Sequence, residues 1–436
     1  MFHKLIYNPK IIGDFDVTIF DESHSLEDAV RNGRIAKIRR MDLERLQAFA
    51  GGEAGAFRES LQTMERISRL SREPVNPMVV ERKFVNPIKA LLSTIEENIR
   101  NSELTSRLDP SITEAYFTLS RSINSIDRLD SYRFVYHDDG ILGIPSNIFF
   151  SSFNSKQISR NVSVALISAT IESPKFHLKE TGFPFYSLAP PVQIESARMI
   201  EDRFRKRPIF GLVDGPILRK DPNFRDSYDQ ARMEANEIIG SLVPNFTHPA
   251  LILCRSGNDA RSIKGHFASV TGVHRRIFLF EDEETKTELD VVERNLNEKI
   301  SHGQDVIITT AASRLWEGVN LNQLRFLIID ALPYASPQPY DNLEKNAWSS
   351  WRNSRTFRFM IRRMQQGIGR LVRTDNDPWG IVVVIDGRFN AQWNTIRTAL
   401  PSYITDTKII SFVTRNRIVQ SVLEQTNRLE GKFSIK

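Results

Sequence analysis

At 436 residues, with 40% hydrophobic residues, the chain is long enough for about two to three globular domains. It shows no collagen-like, coiled-coil or low-complexity pattern. A single cysteine excludes an internal disulfide and suits a reducing compartment, and no apolar run approaches the length of a membrane span. A net charge of +6 suits a polyanionic partner.

The first residues, Met1 to Pro9, lack the long apolar core of a signal peptide. Asp16-Val-Thr-Ile-Phe-Asp21-Glu22-Ser23-His24 is an apolar β-run ending in two adjacent carboxylates. Its apolar residues point to both faces, the habit of a central strand in a sheet covered on both sides. Two acids at such a strand end can hold Mg²⁺ with one and position an attacking water with the other. A solvated strand end is the plainer alternative. Residues 42–57, 57–71, 86–106 and 112–129 read as helices, with Ile88, Leu91, Leu92, Ile95 and Ile99 recurring at three and four. Val164-Ala-Leu-Ile-Ser168-Ala169-Thr170 is a second buried strand, ending in small hydroxyl residues that can relay hydrogen bonds across a cleft.

From about residue 195 strands and helices alternate, which means a parallel sheet covered on both faces. Strands are expected at 249–254, 276–280, 305–310, 325–330 and 380–386, and helices from Asp259, near 285–301, along a stretch reaching Arg373, and over 415–429 with Ile418, Val422 and Leu423 on one face. Cys254 falls inside the first of these strands and reads as a small core hydrophobe. The eight histidines are scattered, and no H-E-x-x-H or C-x-x-C spacing marks a metal centre. Arginines cluster over 203–207 and 352–363, where they can neutralise phosphates. Trp351, Phe357 and Phe359 interleave with the second cluster, either to stack bases or to enter the core. Trp316, in Arg314-Leu-Trp316-Glu317-Gly318-Val-Asn320, is likewise a core aromatic or a site residue. Gln366-Gly-Ile-Gly369-Arg370-Leu-Val-Arg373 is the most pointed stretch. On a helix, Arg370 and Arg373 share a face, where two guanidiniums can hold a γ-phosphate and stabilise the charge of its transfer. Gly369 would keep that helix slim where a second domain closes against it.

Taken together, these stretches resemble the XPD/DinG-like branch of superfamily 2 helicases. Asp21-Glu22-Ser23-His24 is similar to the D-E-A-H of motif II, Ser168-Ala169-Thr170 to motif III, and Trp316-Glu317-Gly318-Val319-Asn320 to the W-E-G-[IV]-D of motif V. Gln366 to Arg373 is similar to Q-A-I-G-R-L-I-R, motif VI. Leu332-Pro-Tyr-Ala-Ser-Pro337 and Ile381-Val-Val-Val-Ile-Asp386-Gly-Arg388 resemble the segments that follow motifs V and VI. Ser23 in place of alanine and Asn320 in place of an acid depart from the pattern, and Asn320 removes any charge-based role at that position.

The resemblance implies an α/β fold with RecA-like motor domains, the first only partial, and a helical arch-like insertion. Residues 1–28 and 160–194 would belong to the first motor domain, 29–159 to the insertion and 195–436 to the second. It implies ATP between the motor domains, with Mg²⁺ held by Asp21 and the water positioned by Glu22. Arg370 and Arg373 would meet the γ-phosphate, oriented by Gln366, with Gly369, Glu317 and Gly318 beside the nucleotide. Ser168, Thr170 and His24 would couple cleft closure to a bound single strand of nucleic acid, DNA favoured, in the cytoplasm.

One expected element is absent. No G-x-x-x-x-G-K-[ST] occurs, and the one Gly-Lys, Gly431-Lys432, is followed by Phe433. Nothing in the sequence therefore cradles β- and γ-phosphates. In the family that loop precedes motif II, so the chain is expected to start midway through the first motor domain. It would be inactive alone and completed by a preceding segment or a separate chain. The Fe–S cluster of many relatives belongs to the same missing region, so Cys254 leaves it open. The alternative is a non-catalytic nucleic-acid-binding or assembly subunit that kept the fold.

Overall fold

The computed structural model describes residues 17–20, 35–50, 62, 66, 80–101, 109–127, 132–137, 140–145, 163–166, 209–213, 215–218, 225–269, 276–280, 294–298, 305–310, 313, 321, 324–335, 355–371, 379–400, 409–413 and 417–433. The chain forms two compact units, residues 1–193 with 338–347, and residues 194–337 with 348–436.

The first unit runs β1 (Val17–Phe20), β2 (Ala36–Arg39), α1 (Arg40–Ala50), a π-helical turn at Glu81–Val85, α2 (Asn86–Asn101), α3 (Pro110–Asp127), β3 (Tyr132–His137), β4 (Gly140–Pro145) and β5 (Ser163–Leu166). β1 pairs in parallel with β5, from Val17 opposite Ser163 to Phe20 opposite Leu166.

An all-helical insertion was the expectation for the residues between these two strands, and the structure corrects it. β2, β4 and β3 form an antiparallel sheet in that order, with Lys37 opposite Leu142 and Val135 opposite Leu142. Side chains alternate across a strand. Ala36, Ile38, Phe134 and Ile141 therefore share one face and pack with Leu43 and Leu46 of α1, Ile88 and Ile95 of α2, and Leu119 and Ile123 of α3. The Ser122 hydroxyl accepts the Lys37 N–H at 3.0 Å and donates to the Lys37 carbonyl at 2.9 Å, satisfying backbone groups on the outer side of β2. Gly140 is required where β4 meets β2, because a Cβ there would lie 2.4 Å from the Ile38 carbonyl oxygen. Of the expected helix 57–71 only Gln62 and Arg66 are described, and both are helical.

The second unit runs β6 (Ile209–Val213), α4 (Arg225–Leu242), a 3₁₀ turn at Val243–Asn245, β7 (Ala250–Cys254), α5 (Gly257–Ser269), β8 (Ile277–Leu279), β9 (Val306–Thr310), β10 (Phe326–Ile329), α6 (Arg355–Ile368), β11 (Ile381–Val384), α7 (Arg388–Ala399), β12 (Ile409–Val413) and α8 (Ile418–Phe433). Its seven strands are all parallel, in the order β12-β6-β11-β10-β7-β9-β8. β7, β9, β10 and β11 are buried at every position, which is why they read as unbroken apolar runs. Leu251, Leu253, Leu327, Ile329, Val382 and Val384 face one layer, against Phe357, Met360, Ile361 and Met364 of α6 and Phe389 and Ile396 of α7. Ala250, Ile252, Cys254, Ile328, Ile381 and Val383 face the other, against α4, α5 and α8. The α8 stripe is Ile418, Val422 and Thr426, with Leu423 only half-buried.

The chemistry expected of residues 249–386 thus sits on an α/β scaffold with two filled cores. Each buried Leu, Ile, Phe or Met contributes roughly 1.5–3 kcal/mol. Among the described residues no helix is long and apolar enough to cross a membrane.

Candidate nucleotide site

Helix α6 brings the arginine-rich stretch to the sheet. Phe357, Met360, Ile361, Met364 and Ile368 recur at helical spacing and seat the helix on one face of the sheet. Phe357 is therefore a core residue, and the stacking alternative for it falls away. Phe359 is half-buried under the Arg363 guanidinium, 5.1 Å from its ring centre. Arg358 and Gln365 are buried among these apolar neighbours.

The helix ends at Ile368, two residues before Arg370. Gly369 N–H donates to the Gln365 carbonyl at 2.9 Å, Arg370 N–H to Gly367 at 3.1 Å and Leu371 N–H to Ile368 at 3.1 Å. The last two, reaching back only three residues, tighten the last turn and satisfy carbonyls that a helix end leaves open. Arg370 is thus carried by a turn, not by the helix expected to bear it. Gly367 and Gly369 were the signal, since glycines at the end of a periodic run mark a helix stop. A Cβ on Gly369 would meet the Gln365 carbonyl oxygen at 3.3 Å, a tight approach within this turn.

Arg370 is 5% exposed. Gln366 is half-buried on α6, one turn ahead of it. The turn is fixed to the sheet by Leu371, which is buried and touches the chain at Gly380, immediately before β11. The arginine therefore stands beside the amino end of β11, on a rigid base.

Of the other expected site residues, Asp21, Glu22, His24, Ser168, Thr170, Glu317, Gly318 and Arg373 lie outside the described residues, as do Trp316, Asn320, Trp351 and the 203–207 cluster. The strands leading to two of these groups are described. Phe20, which precedes Asp21, is opposite Leu166, two residues before Ser168. Among the described residues no group of three or more His, Cys, Asp or Glu is placed to hold a metal ion, and Cys254 is a buried free thiol that burial pushes up.

At the carboxyl end of the same sheet lies a polar cluster that sequence reading did not assemble. Asp330, fully buried after β10, takes a two-pronged contact from Arg232 of α4 at 2.6 and 2.7 Å. Burial pushes the Asp330 carboxyl up and the Arg232 fork opposes that rise. Arg232 Nε also donates to Asn236, and Asn236 to Ser262, so α4, α5 and β10 are tied together. Asp386, buried after β11, receives Arg388 at 2.6 and 3.0 Å and the Leu332 N–H at 3.1 Å. Arg388 lies over the Tyr334 ring, whose hydroxyl donates to Gln392 at 2.6 Å; burial pushes that phenol up to about 12. Arg255 and Arg388 both donate to the Leu218 carbonyl, at 3.1 and 2.9 Å. Tyr228 donates to Asp259, beside Arg255. Three arginines and three aspartates offset one another here, so the cluster fixes the loops after β6, β7, β10 and β11. An acid closing an apolar strand, as in Phe326-Leu-Ile-Ile-Asp330, was its signal.

With this geometry in view, residues 239–407 match the family described as helicase C-terminal domain. Over 265 residues the chain is 26% identical to a probable ATP-dependent helicase of Methanocaldococcus jannaschii, an alignment covering 56% of this chain and 37% of that protein. The chain thus spans little more than a third of that relative's length. Among solved structures, an XPD helicase matches with a TM-score of 0.60 at 14% identity, over 94% of this chain and 72% of that one. The S. tokodaii Xpd4 structure matches with a TM-score of 0.56 at 13% identity, over 94% and 80%. At these identities the structural matches show the fold.

Proposed function

We propose that this chain, which matches a helicase C-terminal domain over residues 239–407, is the strand-translocating part of an ATP-dependent helicase of the XPD/DinG-like kind. The observation that carries this reading is Arg370, a buried guanidinium set on a tight turn anchored at the amino end of β11, within the matched domain.

A guanidinium in a water-poor setting suits the stabilisation of charge on a transferring γ-phosphoryl group, because preorganised donors in low dielectric are worth more than in water. Gln366, one turn earlier, would orient it, and Arg373 would be its partner. Asp21 would hold Mg²⁺ and Glu22 would position the attacking water, next to Ser168, Thr170 and His24, while Glu317 and Gly318 would line the nucleotide from the second motor domain. ATP with Mg²⁺ supplies the anhydride bond whose cleavage drives movement. A single strand of nucleic acid, DNA favoured, would be the track, held largely through its phosphates. A cytoplasmic setting suits a chain with one reduced thiol.

The sequence holds no phosphate-cradling loop, so the 436-residue chain by itself would bind ATP weakly and not turn it over. A preceding segment or a separate chain bearing that loop would complete it. The same observation favours a second reading, a non-catalytic nucleic-acid-binding or assembly subunit. Steady-state ATP hydrolysis with single-stranded DNA separates the readings. The chain alone should show no turnover, and addition of a loop-bearing half should create turnover that Glu22→Gln abolishes. Turnover by the chain alone, lost in Glu22→Gln, would mean an unrecognised phosphate site. No turnover from the completed protein would favour the binding subunit. Affinity for single-stranded DNA should fall steeply as salt rises, and an affinity flat across salt would count against both.

A further inference from the structure

The geometry points to Gly380 as a positioning residue for Arg370, acting through Leu371; the proposal rests on the motor reading above. Leu371 is the residue next to Arg370, 1% exposed and bonded through its N–H to Ile368. Its side chain fills the space where Gly380 has none. A Cβ on Gly380 would lie 2.9 Å from Leu371 Cβ, 3.2 Å from Cδ1 and 3.4 Å from Cγ. The 2.9 Å approach is to the Cβ, which is fixed to the backbone, so rotating the leucine cannot relieve it.

Neither side has room to yield. Gly380 leads directly into β11, which is hydrogen-bonded on both sides: the Ile381 N–H donates to the Arg325 carbonyl at 2.8 Å, and β11 pairs with β10 and β6. Trp379, the preceding residue, is 4% exposed and packs edge-on against Phe326 and His248. The sheet side is the stiffer one, so a side chain at 380 displaces the turn. Within that turn Arg370 N–H bonds to Gly367 and Leu371 N–H to Ile368, so a shift of Leu371 moves the Arg370 backbone with it. The absence of a side chain at 380 thereby sets where the guanidinium stands. Gly380 and Leu371 also bracket residues 372–379, the segment that carries Arg373.

Gly380→Ala, compared with Arg370→Ala and Gly431→Ala in the loop-completed ATPase, tests this. Gly431 on α8 has open space where its Cβ would go, and its variant should match the native protein. Misplacing a catalytic group by about 1 Å can cost roughly a hundredfold in rate. Gly380→Ala should therefore lose turnover on that scale, with nucleotide affinity within about twofold of native. Gly380→Ala/Leu371→Gly, which removes the Cβ that the new methyl would meet, should recover at least about tenfold of that loss. A second readout needs no turnover: in the 436-residue chain the Arg370 Nε–H NMR resonance should shift in Gly380→Ala and move back in the double variant, with thermal unfolding confirming that each variant folds.

If Arg370→Ala abolishes turnover while Gly380→Ala stays near native, the positioning role is wrong and the motor reading stands. If Arg370→Ala keeps full turnover, the motor reading of this turn fails, and the resonance alone decides the coupling. A resonance unmoved in Gly380→Ala, or moved and not restored in the double variant, overturns it.

Discussion

β1 and β9 are the same kind of strand in two settings. Val17-Thr-Ile-Phe20 and Val306-Ile-Ile-Thr-Thr310 are both short, apolar and paired in parallel. β9 lies between β7 and β8 with helices on both faces, and Ile307 and Ile308 are buried. Among the described residues β1 pairs with β5 alone, and Ile19 is 62% exposed. An apolar run marks where a strand forms, but burial comes from the neighbours it acquires. The seven-stranded unit supplies those neighbours from residues 209–433, so its stability and the stiffness of its site should belong to it.

Three perturbations press on that contrast. The largest effect is expected at the buried ion pair: Asp330→Ala leaves Arg232 without its carboxylate and should cost roughly 3–5 kcal/mol. In urea unfolding followed by a probe in the seven-stranded unit, the midpoint should fall. A loss below about 1 kcal/mol would mean that the cluster does not brace the sheet. Next, Ile307→Ala should cost roughly 2–5 kcal/mol, whereas Ile19→Ala should stay within about 0.5 kcal/mol. Equal losses at the two sites would erase the distinction between the strands.

The smallest effect depends on pH. Burial holds the His248 imidazole below its usual value, Glu430 of α8 opposes this and Arg325 adds to it. As pH falls through about 6.5 the unfolded chain takes up this proton before the folded one does. The stabilising contribution of neutral His248 is therefore present above that pH and lost below it. His248→Gln should flatten the decline in stability between pH 7.5 and about 5.5. An unchanged slope would show that His248 titrates alike in both states.

The legible parts of the fold were those dictated by local pattern. β7, β9, β10 and β11 were readable because strands buried on both faces leave unbroken apolar runs. The interrupted strands were not. β6 carries Gly211, β4 has two glycines and ends at Pro145, and β2 is four residues alternating with Lys37 and Arg39. β2 and β6 are strands by virtue of partners far away in sequence, as Ala36 is opposite Gly143 and Ile209 opposite Ile381. α4 escaped because its apolar residues are crowded toward its end, in Ile238, Ile239 and Leu242. At the candidate site, Gln366, Gly369 and Arg370 stand out in the sequence, whereas the helix stop at Ile368 is masked by the basic run that continues past it. The contacts of Asp386 and Arg388 with Leu332 and Leu218 depend on the topology that brings β6, β10 and β11 side by side.

The central claim is that the turn after α6 acts on the transferring phosphoryl group. ATP turnover and nucleotide affinity of Arg370→Ala and Arg373→Ala in the loop-completed protein test it most directly. The account predicts a loss of roughly a thousandfold or more in turnover for Arg370→Ala, with a comparable loss for Arg373→Ala and little change in nucleotide affinity for either. Near-native turnover in both variants would contradict it.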